Sequence, residues 1–140
     1  MKHKPIAAVV ILIISILFTG CVSENPFKSK DTVFEMSPEE MKIKNDETAN
    51  LKIRITNNGN STIHPVVRFN MNSSDKPYVN FSRESYDMGS LRPGEDSGYR
   101  IVDVKARLAA GSEIKYPVKV EVVDGSAVLY SKEILITVGR

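Results

Sequence analysis

The sequence predicts an all-β protein: an antiparallel β-sandwich of seven or eight short strands, preceded by an N-terminal signal helix. Three observations carry this expectation. Apolar and polar side chains alternate with period two over much of residues 32–138. Turn signals built from Asn, Asp, Gly and Pro interrupt the alternation about every 8–12 residues, the spacing of a sandwich. After residue 20 no long amphipathic helical pattern and no second long apolar run occurs.

The chain opens on KHKPIAAVVILIISILFTGC from Lys2 to Cys21. Lys2, His3 and Lys4 make a basic start, and residues 6–18 are apolar apart from Ser15. A helix over those residues is about 20 Å long at about 1.5 Å per residue, short of a bilayer core of about 30 Å. The run therefore fits the apolar stretch of an export signal better than a membrane span. Phe18-Thr19-Gly20-Cys21 follows directly and resembles the lipobox of prokaryotic lipoproteins. That resemblance implies cleavage after Gly20 and acylation of Cys21. Thr19 and Gly20 match the pattern, while Phe18 stands where Leu, Val or Ile is usual. The alternatives are an uncleaved N-terminal anchor and an ordinary cleaved signal. Cys21 is the sole cysteine, so it has no internal disulfide partner. Acyl burial contributes about 0.8 kcal/mol per CH₂, and two chains hold a protein stably to a membrane.

Three regions follow: a signal peptide over 1–20, a lipidated tether over 21–31 and one β-domain over 32–140. The location expected is the extracytoplasmic face of the cell membrane. The domain is long enough to bury a real core. With Lys2 and Lys4 set aside, 17 basic residues face 17 acidic ones, interspersed along the chain. Such a neutral surface does not support nucleic-acid binding or a polybasic membrane footprint.

Residues 22–31 are polar, contain Pro26 and read as a spacer. Thr32-Val33-Phe34-Glu35-Met36 reads as a first strand. Ser37-Pro38-Glu39-Glu40 has the start signature of a helix, too short to be more than a helical turn or a loop. Leu51, Ile53 and Ile55 alternate with Lys52, Arg54 and Thr56 in a half-buried strand. Asn57-Asn58-Gly59-Asn60 reads as a tight turn. The return strand spans 63–71, with Ile63, Val67, Phe69 and Met71 on one face and Pro65 near its start. Residues 72–76 form a loop, and 78–81 a short edge strand. Over 85–95, Pro93-Gly94 marks a turn with Leu91 plugging beneath it. A strand over 98–108 carries Val102, Val104, Ala106 and Leu108 on one face, and Gly111 breaks it. Tyr116, Val118, Val120 and Val122 give the cleanest alternation in the chain. Asp124-Gly125 signals a hairpin. The last strand, 128–138, turns Tyr130, Ile134, Ile136 and Val138 inward.

LKIRITNNGNST, SLRPGE and the run ending in YPVKVEV resemble the immunoglobulin-like accessory domains of archaeal and bacterial surface proteins. The cell-adhesion-related bacterial domain and the domain associated with alpha-galactosidases and surface-layer proteins share this layout. The resemblance covers residues 32–138 and implies fold, not activity. Glu113-Ile114-Lys115 is an insertion relative to that pattern. Surface display for binding, adhesion or envelope architecture is the function it implies, with an envelope protein or glycan as partner. The alternative is a ligand-capturing or accessory subunit of an envelope transporter or membrane complex.

Little catalytic chemistry is in prospect, and an enzyme is not expected. The only histidines are His3 and His64, too few for a zinc-type set with Cys21 acylated. Nothing near His64 resembles a nucleophile elbow, and no phosphate-binding or dinucleotide motif occurs. Glu39-Glu40, Asp46-Glu47 and Glu95-Asp96 lack EF-hand spacing and read as solvated turns. No cofactor or metal is expected. Three glycosylation sequons begin at Asn60, Asn72 and Asn80, each in or near an expected turn, with Asn60 the best placed. Tyr78, Phe81, Tyr86 and Tyr99 read mainly as packing residues, with an aromatic binding surface as the alternative.

Overall fold

Period-two burial turns the expected alternation into strands. The computed structural model describes residues 31–140. The signal, the cleavage residues Phe18, Thr19 and Gly20, and Cys21 lie outside the described residues. Nine strands follow in order: β1 (Thr32–Ser37), β2 (Met41–Lys44), β3 (Thr48–Asn57), β4 (Val66–Met71), β5 (Val79–Phe81), β6 (Ser85–Asp87), β7 (Arg100–Ala106), β8 (Glu113–Asp124) and β9 (Ala127–Gly139). They form two layers, a four-stranded sheet β1-β3-β7-β5 and a five-stranded sheet β2-β9-β8-β4-β6. No helix occurs among the described residues.

The core lies between the layers. Leu51, Ile53 and Ile55 of β3 and Val102, Val104 and Ala106 of β7 come from one sheet. Val67 and Phe69 of β4, Tyr116, Val118, Val120 and Val122 of β8, and Ile134, Ile136 and Val138 of β9 come from the other. Each fully buried aliphatic side chain contributes about 1.5–3 kcal/mol before ordering entropy is set against it. Aromatic contacts join the layers at both margins. Phe69 stacks on Phe81 at 4.5 Å and meets Tyr86 edge-on at 6.1 Å. Phe34 packs on Tyr130 at 5.0 Å on the other side.

The structure corrects several expectations. Nine strands replace seven or eight, because β2 and β6 are too short for alternation to reveal. The sandwich is not antiparallel throughout, since β2 runs parallel to β9. Of the two alternatives for Ser37-Pro38-Glu39-Glu40 the loop holds and the helical turn does not: it is a bend with a cis Ser37-Pro38 bond, where the chain crosses from one sheet to the other. The return strand begins at Val66, not residue 63, and Ile63 instead makes an isolated bridge to Leu91. A register shift at Val122/Val123 places one extra residue, Leu129, in β9, and both valines are buried. The strand over 78–81 does lie at a sheet edge, as β5.

Two features of the path position everything on the surface. The chain leaves β5 in one layer and enters β6 in the other within residues 82–84. Both are edge strands of three residues, so neither covers its neighbour fully. The start and finish of the domain lie at opposite ends. Thr32 pairs with Asn57 beside the 57–61 turn, whereas Gly139 pairs with Lys44 and Glu113 at the far end.

Candidate functional site

At the end where β1 begins, Asn57 is 1% exposed and organises the loops. Its Nδ2 donates to the carbonyls of Ser61 at 2.8 Å and Leu91 at 2.9 Å, and its Oδ1 accepts the Gly59 N–H at 3.0 Å. Its backbone N–H donates to Glu95 O, and its carbonyl accepts the Gly94 N–H. One side chain thus ties the Asn-rich turn to the Pro93-Gly94 turn. Gly94 sits at φ +83, a left-handed conformation in which glycine carries no Cβ penalty. Leu91 is buried at 4% exposure beneath the turn, as its sequence context suggests.

At the far end, Tyr116 opens the β8 alternation and is buried. Its hydroxyl donates to Arg107 O at 2.9 Å and accepts the Ala109 N–H at 3.0 Å, closing the 107–115 corner. Tyr78 stacks on it at 6.1 Å. Burial pushes the Tyr116 phenol pKa above its ordinary value, against the opposing hydrogen bond from Ala109; burial likewise raises Tyr130. A phenol whose pKa is raised by folding adds stability fully below pH 10, and loses it as pH climbs through the folded value. Alkaline unfolding is therefore expected to begin above pH 10, followed by circular dichroism. Tyr116→Phe is expected to lower stability at pH 7 by about 1–3 kcal/mol while weakening the alkaline dependence.

The outer face of the four-stranded sheet carries the most exposed aromatic side chain among the described residues. Tyr99 is 57% exposed, Ile101 58% and Val33 40%. Arg54 lies 4.6 Å from the Tyr99 ring centre and donates from Nε to Glu35 at 2.6 Å. Around the edge, Ser82, Arg83, Tyr86, Asp87, Arg100 and Ile101 line a surface groove of about 550 Å³. It opens where β5 has ended and β6 has moved to the other layer.

The sequence-predicted residues are spread apart. Asn60 is exposed in a bend at the β1-start end, and Asn72 is exposed at the far end after β4. Asn80 is exposed too, but it lies within β5 opposite Lys105, not in a turn. His64 is exposed between the Ile63 bridge and Pro65. Of the four aromatics considered together, Phe81 and Tyr86 are buried and Tyr78 is half-buried. Only Tyr99 faces outward, so they form no continuous aromatic surface. No group of three or more His, Cys, Asp or Glu among the described residues is placed to hold a metal. Sequence reasoning did not find the Asn57 hub. The NNGN cluster signalled a turn but not that its first side chain points inward.

These strands define a class. The order β1-β3-β7-β5 occupies the A-B-E-D places of an immunoglobulin-like sandwich, and β9-β8-β4 the G-F-C places. Tyr116, near the start of the F-equivalent strand and bonded to backbone just upstream, makes a tyrosine corner. No family model matches the chain, and no curated protein does. Solved structures do. Native alpha-2-macroglobulin from Escherichia coli superposes with a TM-score of 0.59 at 16% identity, over 79% of this chain and 7% of that one. The trypsin-activated form of the E. coli protein gives 0.54 at 14% identity, with the same coverage. Salmonella alpha-2-macroglobulin reacted with methylamine gives 0.53 at 12%, over 78% of this chain and 7% of that one. At these identities the likeness establishes the immunoglobulin-like fold alone. This chain spans about 7% of the length of those proteins.

Proposed function

We propose that this protein is held on the extracytoplasmic face of the cell membrane by acyl chains on Cys21. There it displays a non-catalytic immunoglobulin-like domain for binding, adhesion or envelope architecture. Residues 1–20 are the signal, 21–31 the tether and 32–140 the displayed domain. The observation that carries this reading is the basic, apolar and small-residue succession ending at the sole cysteine, followed after a short polar stretch by a filled β-sandwich. Asn60, Asn72 and Asn80 present exposed side chains as glycan acceptors, with Asn60 foremost. Envelope proteins or surface glycans are the partners that such a display suits. The groove beside β6 and β7 is open to the surface and is not an enclosed cavity with convergent polar groups, so it does not suit capture of a small ligand.

Cys21→Ser tests the anchor. The unaltered protein is expected in the membrane fraction, shortened by residues 1–20 and heavier by its acyl groups. The variant is expected to lose that added mass and the membrane attachment that depends on it. Unchanged mass and attachment in the variant would refute the anchor.

A further inference from the structure

The sheet edge beside β7 is incomplete in one place. β5 covers β7 only from Val104 to Ala106. Below that point, Ser82 donates its N–H to Asp103 O, and its Oγ accepts the Asp103 N–H. The N–H and C=O of Asp103 therefore point toward the β5 side. In an antiparallel strand these groups alternate from one edge to the other, so those of Ile101 point the same way, with Tyr99 standing just before β7. Among the described residues no strand pairs with β7 here on the β5 side, because residues 82–84 carry the chain off to β6 in the other layer. A strand laid there would continue the line of β5.

Three further observations mark this gap as a site and not an ordinary edge. The groove of about 550 Å³ lies alongside it, between β6 and β7. Two of the most exposed large apolar side chains, Tyr99 and Ile101, stand on the outer face of the same backbone stretch. Arg83 and Arg100 line the groove against the single carboxylate of Asp87, whose Oδ1 already accepts the Gly89 N–H. Open edges elsewhere are guarded differently. The β2 edge carries Lys42 and Lys44, and on β1 Glu35 is paired with Arg54.

We propose that this gap receives an extended, acidic segment of a partner protein, which adds as a strand against the exposed edge of β7 at Ile101, alongside Tyr99. The Ile101 N–H and C=O supply main-chain hydrogen bonds and hence the register. Tyr99 and Ile101 take the alternate apolar side chains, and Arg83 and Arg100 select acidic over basic segments. The inference concerns the folded domain, so it stands whether or not Cys21 is acylated.

The test uses the full chain in detergent micelles, ¹⁵N-labelled, titrated to about 1 mM with a blocked peptide alternating Val and Glu. Its counterpart alternates Val and Lys. Amide shifts centred on Tyr99, Ile101 and Arg83, from the acidic peptide only, support the proposal. Arg83→Glu with Arg100→Glu is expected to weaken binding at least about tenfold. Ile101→Pro removes the edge-facing donor without touching a β3 bond, and is expected to abolish binding. Should that variant fail to fold, the arginine pair alone decides. Shifts elsewhere, equal response to both peptides, or no response would overturn the proposal. So would a self-dimer broken by Arg83→Glu with Arg100→Glu, which would make a second copy the occupant.

Discussion

Phe69→Ala is expected to lower the unfolding free energy by about 3–5 kcal/mol, a large part of the roughly 5–15 kcal/mol typical of a domain. Phe69 belongs to β4 in the five-stranded sheet, while its stacking partner Phe81 belongs to β5 in the other. Its edge contact with Tyr86 adds β6 to the same cluster. Removing the ring opens a cavity at the margin where the two edge strands are only three residues long. The same margin also holds buried Val79 and Met88 and the Ser82–Tyr86 hydroxyl contact at 2.7 Å, so the loss should fall within that range and not beyond it. Urea unfolding monitored by circular dichroism measures it, with the slope unchanged if only stability is altered. A loss below about 1 kcal/mol would mean that the sheets are not joined through this ring.

Asn57→Ala is the second large effect, at about 2–4 kcal/mol. The side chain makes three hydrogen bonds, and its removal leaves the buried Leu91 carbonyl without that donor. Asn57→Asp separates volume from donors. It keeps the shape but sets a carboxylate against two carbonyl oxygens, so it should destabilise at least as much as Ala at pH 7. Equal stability of the Asp variant and the parent would refute the hub. Hydrogen exchange at Gly59 should accelerate in Asn57→Ala, which removes its acceptor Oδ1, and less in Asn57→Asp, which keeps an acceptor oxygen there.

The long strands were legible because their burial has one cause. In β8 the inward set Tyr116, Val118, Val120 and Val122 faces a complete second layer, so every outward place can be polar. The same holds for Leu51, Ile53 and Ile55. What escaped the sequence is short or non-local. Met41 and Ile43 are both buried, but two apolar residues in MKIK are too few to set a period. Ser37-Pro38-Glu39-Glu40 carries helix-start residues for local reasons, and only the fold shows that they make a crossover between layers. Asn57 looked like a turn residue because Asn is common in turns; its carbonyl partner, Leu91, lies 34 residues away. The edge of β7 at Ile101 was equally hidden, since β5 ending opposite Val104 leaves no mark on the sequence of β7 itself. The proposed acylation site, by contrast, was read entirely from adjacent residues.

The opposed ends of the domain set the geometry of anything attached to it. The thirteen residues of β9 run the length of the sandwich, about 40 Å at about 3.3 Å each. A fluorophore or affinity handle joined after Arg140 would ride at the tip farthest from Asp31, clear of the headgroups if the leash of residues 21–31 is fixed in lipid. The length of the sandwich would act as a spacer, and a quencher confined to the bilayer should reach a label at Asp31 long before one at Arg140.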